Sequence, residues 1–144
     1  MFSRIAIAAV IGSALISTGC TTHLSHGQKR ELSAYKEKGF YQAEKNVAVA
    51  AGLGVFPVLG YMYTGHPVLA VTSVLTWPFL GPLWMPHDTS QSALNRNYYA
   101  TKEFVAREKA KEMRGIDHQL EEEKINYQQH VRLQRELEEK YSPY

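Results

Sequence analysis

The chain has 144 residues, a formal net charge of +2, 44% hydrophobic and 21% charged residues, and a single cysteine. Near-balanced charge without a basic, aromatic-interleaved patch implies no nucleic-acid partner, and a lone cysteine excludes an internal disulfide framework. Once the N-terminal segment is set aside, about 125 residues remain, enough for one small domain at most.

Residues 1–19 read as a bacterial lipoprotein signal peptide. Arg4 supplies the positive start, Ile5 to Ile16 form an apolar run too short for a stop-transfer span, and Ser17-Thr18-Gly19 set small residues against Cys20. Ser17 stands where leucine is usual, and an ordinary signal peptide or an uncleaved anchor are the alternatives. Lipidation would place a diacylglycerol and an N-acyl chain, palmitate for instance, on Cys20. Two or more acyl chains, at about 0.8 kcal/mol per buried methylene, hold a protein stably on a membrane. No other cofactor is expected.

Residues 20–28 form a polar tether, and 29–45 a short polar helical zone in which Lys29 to Lys38 is helix, ended by Gly39, with Leu32 and Tyr35 on one face. His23 and His26 stand three apart, but no third ligand follows them, so a solvated spacer is the simpler reading than a metal site.

Residues 46–87 contain no Asp, Glu, Lys or Arg, and read as an apolar helical hairpin: Val47 to Tyr63, a Thr64-Gly65-His66-Pro67 turn, then Val68 to Met85. Seventeen residues at 1.5 Å each reach roughly 25 Å, short of a hydrocarbon core of about 30 Å. Pro57, Trp77-Pro78, Gly81-Pro82 and Pro86 shorten the segments further and leave Pro67 to Thr76 as uninterrupted helix. A re-entrant or interfacial hairpin therefore fits better than two spans, with the alternative that its aromatics fill a soluble core. Ala48 with Gly52 and Ala50 with Gly54 have the spacing of a close helix seam. Tyr61, Tyr63, Trp77 and Trp84 near the segment ends suit the headgroup level.

Pro57, Gly60, Tyr63 and Gly65, then Trp77-Pro78, then Asn97-Tyr98-Tyr99-Ala100-Thr101-Lys102 give an order that resembles a family of small uncharacterised bacterial lipoproteins with a TM2-like apolar hairpin. The resemblance covers about the middle third of the chain and implies membrane association without implying an activity. The chain departs from that pattern at Val58, where glycine is expected, at Met62, where phenylalanine is, and at Gly81-Pro82, which replace an acidic position.

Residues 88–144 read as one long charged helix from about Ser90 to Lys140, with Asp88, Thr89 or Ser90 as N-cap, Pro143 as stop and Gly115 as a hinge. Arg132 with Glu136, Arg135 with Glu139 and Glu136 with Lys140 are four apart. An apolar stripe through Met113, Ile116, Leu120, Tyr127, Leu137 and Tyr141 is interrupted by Glu123, His130 and Gln134, which argues against a self-contained coiled coil. Leu94, Tyr98, Tyr99, Phe104 and Val105 are candidates for packing onto the hairpin.

The expected fold is thus all-α: a lipidated N-terminus, a broken apolar hairpin and a long charged C-terminal helix. No nucleophile elbow, phosphate cradle or metal set stands out. Gly52-Leu53-Gly54 lacks the third glycine and acidic partner of a dinucleotide site, and Glu121-Glu122-Glu123 reads as a solvated face. The expectation is therefore no enzyme but a membrane-anchored structural or interaction lipoprotein of the bacterial envelope, its C-terminal helix binding an envelope protein while membrane lipid holds the anchor. The alternative is a small regulator of an envelope machine or channel, for example in phage-type superinfection exclusion, acting through the hairpin. Thr21 after Cys20 points to the outer membrane facing the periplasm, whereas a spanning hairpin would require the inner membrane.

Overall fold

The computed structural model describes residues 23–78 and 80–144. The expected signal peptide, Cys20 and the first residues of the expected tether lie outside the described residues. Those described fold as six α-helices with no strand: α1 His26–Glu37, α2 Val47–Leu53, α3 Leu59–Thr64, α4 Pro67–Thr76, α5 Gly81–Glu121 and α6 Tyr127–Tyr141. The all-α expectation holds. They group into two compact units, one containing Glu44–Arg96 and residues 23–25, the other His26–Ala43 and Asn97–Tyr144. The 41-residue α5 contributes to both.

In the second unit, α1 buries Leu32 and Tyr35 and ends as its sequence predicts. Gly39 adopts φ 78°, letting Phe40 N donate to Tyr35 O at 2.9 Å and Gly39 N to Lys36 O at 3.1 Å, the paired bonds of a glycine-terminated helix. Residues 40–45 are not helical, so the polar helical zone is shorter than its expected limits of 29–45.

The long charged segment is two helices rather than one hinged at Gly115. Gly115 lies inside α5, with open space where a Cβ would be. A mid-helix glycine costs about 1 kcal/mol, too little to force a break. The chain turns at 122–126 instead, where Glu123 takes φ 57°. Asn126 then starts α6: its side chain accepts from Gln129 N at 2.8 Å while its own N–H donates to Gln129 Oε1 at 2.9 Å. His130 pairs with Asp117 at 2.8 Å, and Lys140 with Glu112 at 2.7 Å. Positions advancing along α6 thus meet positions receding along α5, and the two helices run antiparallel. Their core is Tyr35, Val105, Leu137 and Tyr141, with Phe40, Phe104, Met113 and Ile116 against it. Phe40 stacks on Tyr141 at 5.1 Å between centroids, and Lys38 Nζ donates to the last carbonyls of the α6 region, Glu139 O and Ser142 O. Two expectations are corrected. Phe104 and Val105 pack in this core rather than on the apolar segment, and the residues that seemed to spoil a seam have other uses: Glu123 makes the turn and His130 is buried.

In the first unit the apolar zone is three short helices and the start of α5, its first segment interrupted at Pro57 as expected. Pro57 and Val58 break the first segment between α2 and α3. Val58 has φ 72° and ψ −51°, and Leu59 N donates to Pro57 O at 2.9 Å. This is a three-residue turn of the rare, strained hand. Asn46 caps α2, accepting from Ala48 N and Val49 N. Gly65 at φ 79° closes α3, with its N–H on Met62 O and His66 N on Tyr61 O. α4 occupies Pro67–Thr76 as predicted, and Pro67 opens it.

α5 begins well before Ser90. Leu80 at φ 62° turns the chain, and Pro82 falls in the first turn, where its missing donor costs nothing. Pro86 is carried inside the helix. Thr89 and Ser90 are not caps: Thr89 Oγ1 donates to Met85 O at 2.9 Å and Ser90 Oγ to His87 O at 2.6 Å, the back-bonding of residues within a helix.

Candidate functional site

The polarity of the first unit is inverted relative to a protein core in water. Its fully enclosed positions are small or hydroxylic: Ala50, Ala70, Ser73, Thr64, Thr89 and Ser92, with Tyr61 and Met85 the main large side chains inside. Large apolar side chains point outward. On α4, Val68, Val71 and Leu75 are 70%, 71% and 72% exposed, three or four residues apart along one face, and Phe56, Leu59, Met62, Leu80 and Leu83 are also exposed. Large side chains outside and small ones at the helix contacts are what a solvent of hydrocarbon selects, because apolar groups gain nothing there by leaving the solvent and backbones gain by close approach.

Close approach is visible in the glycines. A Cβ on Gly60 would stand 2.7 Å from both Gly54 Cα and Thr89 Cγ2, and one on Gly54 would strike Thr89 Oγ1. Thr89 Oγ1 also reaches Ala50 O at 2.8 Å, tying α5 to α2. Of the two expected seam pairs, Ala50 with Gly54 lies at this contact. Ala48 and Gly52 are exposed, and a Cβ on Gly52 would meet nothing. Two hydroxyls inside the unit bond to helix carbonyls, Thr64 to Gly60 O and Ser73 to Ala70 O.

Irregular backbone is satisfied by protein groups. Val58 N donates to Ser73 Oγ at 2.8 Å, Trp77 Nε1 to Val55 O at 3.1 Å, and Arg96 Nε to Thr64 O at 2.6 Å. These bonds also fix the helix directions. Trp77 and Val55 bring together the C-terminal ends of α4 and α2. At the other end, Asn46 N donates to Tyr63 OH at 2.9 Å, and Arg96 joins Glu44 at 2.7 Å. One end is therefore apolar, with Val55, Phe56, Trp77, Leu80 and Leu83. The other carries Glu44, Lys45 and Arg96, with Lys45 Nζ 4.9 Å from the centre of the Tyr63 ring. Asp88 lies further along α5 than the apolar end and accepts from Tyr61 OH at 2.7 Å.

The residues on which the sequence resemblance rests divide between the units. Pro57, Gly60, Tyr63, Gly65, Trp77 and Pro78 build the turns and contacts of the first; Gly65 lies against the Arg96 guanidinium. Trp77 and Trp84 are 38% and 43% exposed rather than core-filling, whereas Tyr61 is buried and not at a rim. Asn97, Tyr98, Thr101 and Lys102 belong to the second unit. Asn97 Nδ2 donates to Tyr41 OH at 2.8 Å, and Thr101 Oγ1 accepts from Gln42 N at 3.0 Å. Tyr98 OH donates to Glu31 at 2.7 Å, and Lys102 Nζ lies 5.6 Å from the Tyr98 ring centre. Burial and then that carboxylate push the Tyr98 phenol well above its ordinary pKa, so it stays a donor. This cluster holds the 40–43 segment to α5. Tyr99 is exposed and meets Tyr98 edge-on.

Among the described residues no group of three or more His, Cys, Asp or Glu side chains could hold a metal ion, and no helix is long and apolar enough to cross a membrane. His23 lies 3.7 Å from Asp88, with its ring 5.9 Å from that of His87. No family model matches the chain. Searches of curated proteins and of solved structures likewise return no relative.

Proposed function

We propose that the chain is a membrane-anchored structural or interaction lipoprotein of the bacterial envelope, held by acyl chains on Cys20 and presenting the second unit to a protein partner. The observation that carries this reading is the opposite character of the two units. The first turns valine, leucine and phenylalanine outward. The second has its own aromatic and aliphatic core and a surface of ion pairs, including Lys140 with Glu112, Lys109 with Glu138 and Arg132 with Glu136. A pre-folded helical pair needs no second chain to become helical and forfeits little conformational entropy on binding. The reading places the protein on the outer membrane, facing the periplasm, and gives it no catalytic role.

Photo-crosslinking groups at Tyr99 and Tyr127, which are 58% and 72% exposed, test the partner arm in intact cells. The expected result is a discrete protein adduct that disappears when neighbouring surface charges are reversed. Lipid adducts alone, or none, would refute it. A regulator acting through the first unit would instead give its adducts from positions on α4.

A further inference from the structure

We propose that the first unit inserts, apolar end first, into a single leaflet of a phospholipid bilayer, forming a second anchor independent of the acyl chains. The inference deepens the proposed membrane attachment, but its evidence lies wholly in residues 44–96.

Three observations select lipid as the occupant. Charge is confined by position: residues 46–87 carry none, while Glu44, Lys45 and Arg96 gather at the end opposite Phe56 and Leu83. The length fits one leaflet. The ten residues of α4 rise about 15 Å, half of a hydrocarbon core of about 30 Å, and Asp88 lies seven residues along α5 from Gly81, about 10 Å above the tip. Insertion of the tip by about 10 Å, within the reach of one leaflet, keeps the acidic side chain at the hydrocarbon boundary, where Tyr61 OH donates to it. Finally, two backbone polar groups at the break between α2 and α3 are taken up by protein side chains. Val58 N and Val55 O, at the broken backbone between α2 and α3, find Ser73 and Trp77, the condition under which non-helical backbone is tolerated at membrane depth. A polar or charged partner surface would find nothing to pair with at this end, and a second copy would meet the same side chains without needing the turns to be satisfied.

The two tryptophans of the chain, Trp77 and Trp84, both flank the tip and report on it directly. The test uses the full mature chain carrying Cys20→Ala, exported through a cleavable non-lipoprotein signal so that no acyl chain is present. It is mixed with vesicles of phosphatidylethanolamine and phosphatidylglycerol. The expected result is flotation with the vesicles, a blue shift of tryptophan emission, quenching by lipids brominated on their acyl chains and protection from aqueous iodide. Phe56→Asp with Leu83→Asp, at two exposed positions, removes two buried apolar side chains and lowers partitioning by at least about a hundredfold while leaving helicity unchanged. Tyr99→Asp with Tyr127→Asp leaves partitioning as it was. A folded chain that stays in solution, or floats with its tryptophans open to iodide and untouched by bromine, overturns the proposal. So does a discrete oligomer that persists when vesicles are added. Mass analysis of the wild-type residue 20 decides acylation separately, so failure of the lipoprotein reading would leave this result standing, and the reverse.

Discussion

Gly60→Ala is the sharpest probe of the small-residue contact that organises the first unit. The added methyl would sit 2.7 Å from Gly54 Cα, 2.7 Å from Thr89 Cγ2 and 2.9 Å from Gly54 N, whereas ordinary contact begins at 3.4 Å. Two of these three atoms are backbone and cannot rotate away. Relief therefore requires α3 to retreat from α2 by about 0.7 Å, loosening the close contact between them. Overpacking of this kind costs about 1–3 kcal/mol, and alanine returns roughly 0.5–1 kcal/mol through its lower backbone entropy loss. The net loss is about 0–2.5 kcal/mol, and its middle value, for a unit of this size, lowers Tm by roughly 5–10 °C. Thermal unfolding in detergent micelles, followed by fluorescence of Trp77 and Trp84, measures it. Gly52→Ala is the matched control: nothing lies within 4 Å of its Cβ, so it should be neutral or raise Tm by a few degrees. Equal shifts in the two variants, in either direction, would refute the assignment of Ala50 and Gly54, rather than Ala48 and Gly52, to the contact.

Two further outcomes concern the second unit. Gly115→Ala should stabilise it by about 0.5–1 kcal/mol, because the position is mid-helix and open; a loss of stability by urea unfolding would restore Gly115 as a hinge. Glu112 is held below the usual carboxylate range, first by its hydrogen bond from Lys140 and then by that from Tyr141, and Lys140 is raised chiefly by its bond to Glu112. A depressed carboxylate contributes stability that is complete above its unfolded pKa of 4.5 and is lost as pH falls through the lower folded value. A raised lysine contributes stability that is complete below 10.5 and is lost as pH climbs through the higher folded one. Glu112→Gln should therefore cost little, about 0.2–1 kcal/mol at neutral pH because the pair is largely solvent-exposed, and should flatten both limbs in urea midpoints measured by circular dichroism. Limbs unchanged by the substitution would exclude this pair as their source.

Much of the local structure was legible because single residues dictate it. Gly39 ends α1, Pro67 opens α4, and Trp77-Pro78 bounds it, each by a backbone rule that needs no tertiary partner. Leu32 and Tyr35 were legible as one buried face. The start of α5 was not, since three prolines and a glycine in the 78–86 stretch read as breaks; Pro82 in a first turn is harmless, and Thr89 and Ser90, natural caps by type, instead bond back into their own helix. The turn at 122–126 was available in Asn126 and Gln129, a capping pair three residues apart, but Gly115 drew attention as the more familiar breaker. His130 could not be placed from sequence, because its value depends on Asp117 across the turn. The inverted polarity of the first unit was legible only as a lack of charge. Which faces hold valine and which hold alanine depends on how three helices of 7, 6 and 10 residues meet, and segments that short have little periodicity to read.

An inside made of alanine, glycine, serine and threonine also reverses the usual map of tolerated change. In a soluble domain the large interior hydrophobics resist substitution while the surface drifts. If the first unit sits in lipid as proposed, Val68, Val71, Leu75 and Leu83 would be interchangeable with other apolar side chains, because a fluid exterior imposes no shape on them, while the close contacts at Gly54 and Gly60 would resist any larger side chain. Relatives of this chain should therefore keep their smallest residues and exchange their largest ones freely, leaving a pattern of retained alanines and glycines as the more durable signature of the fold.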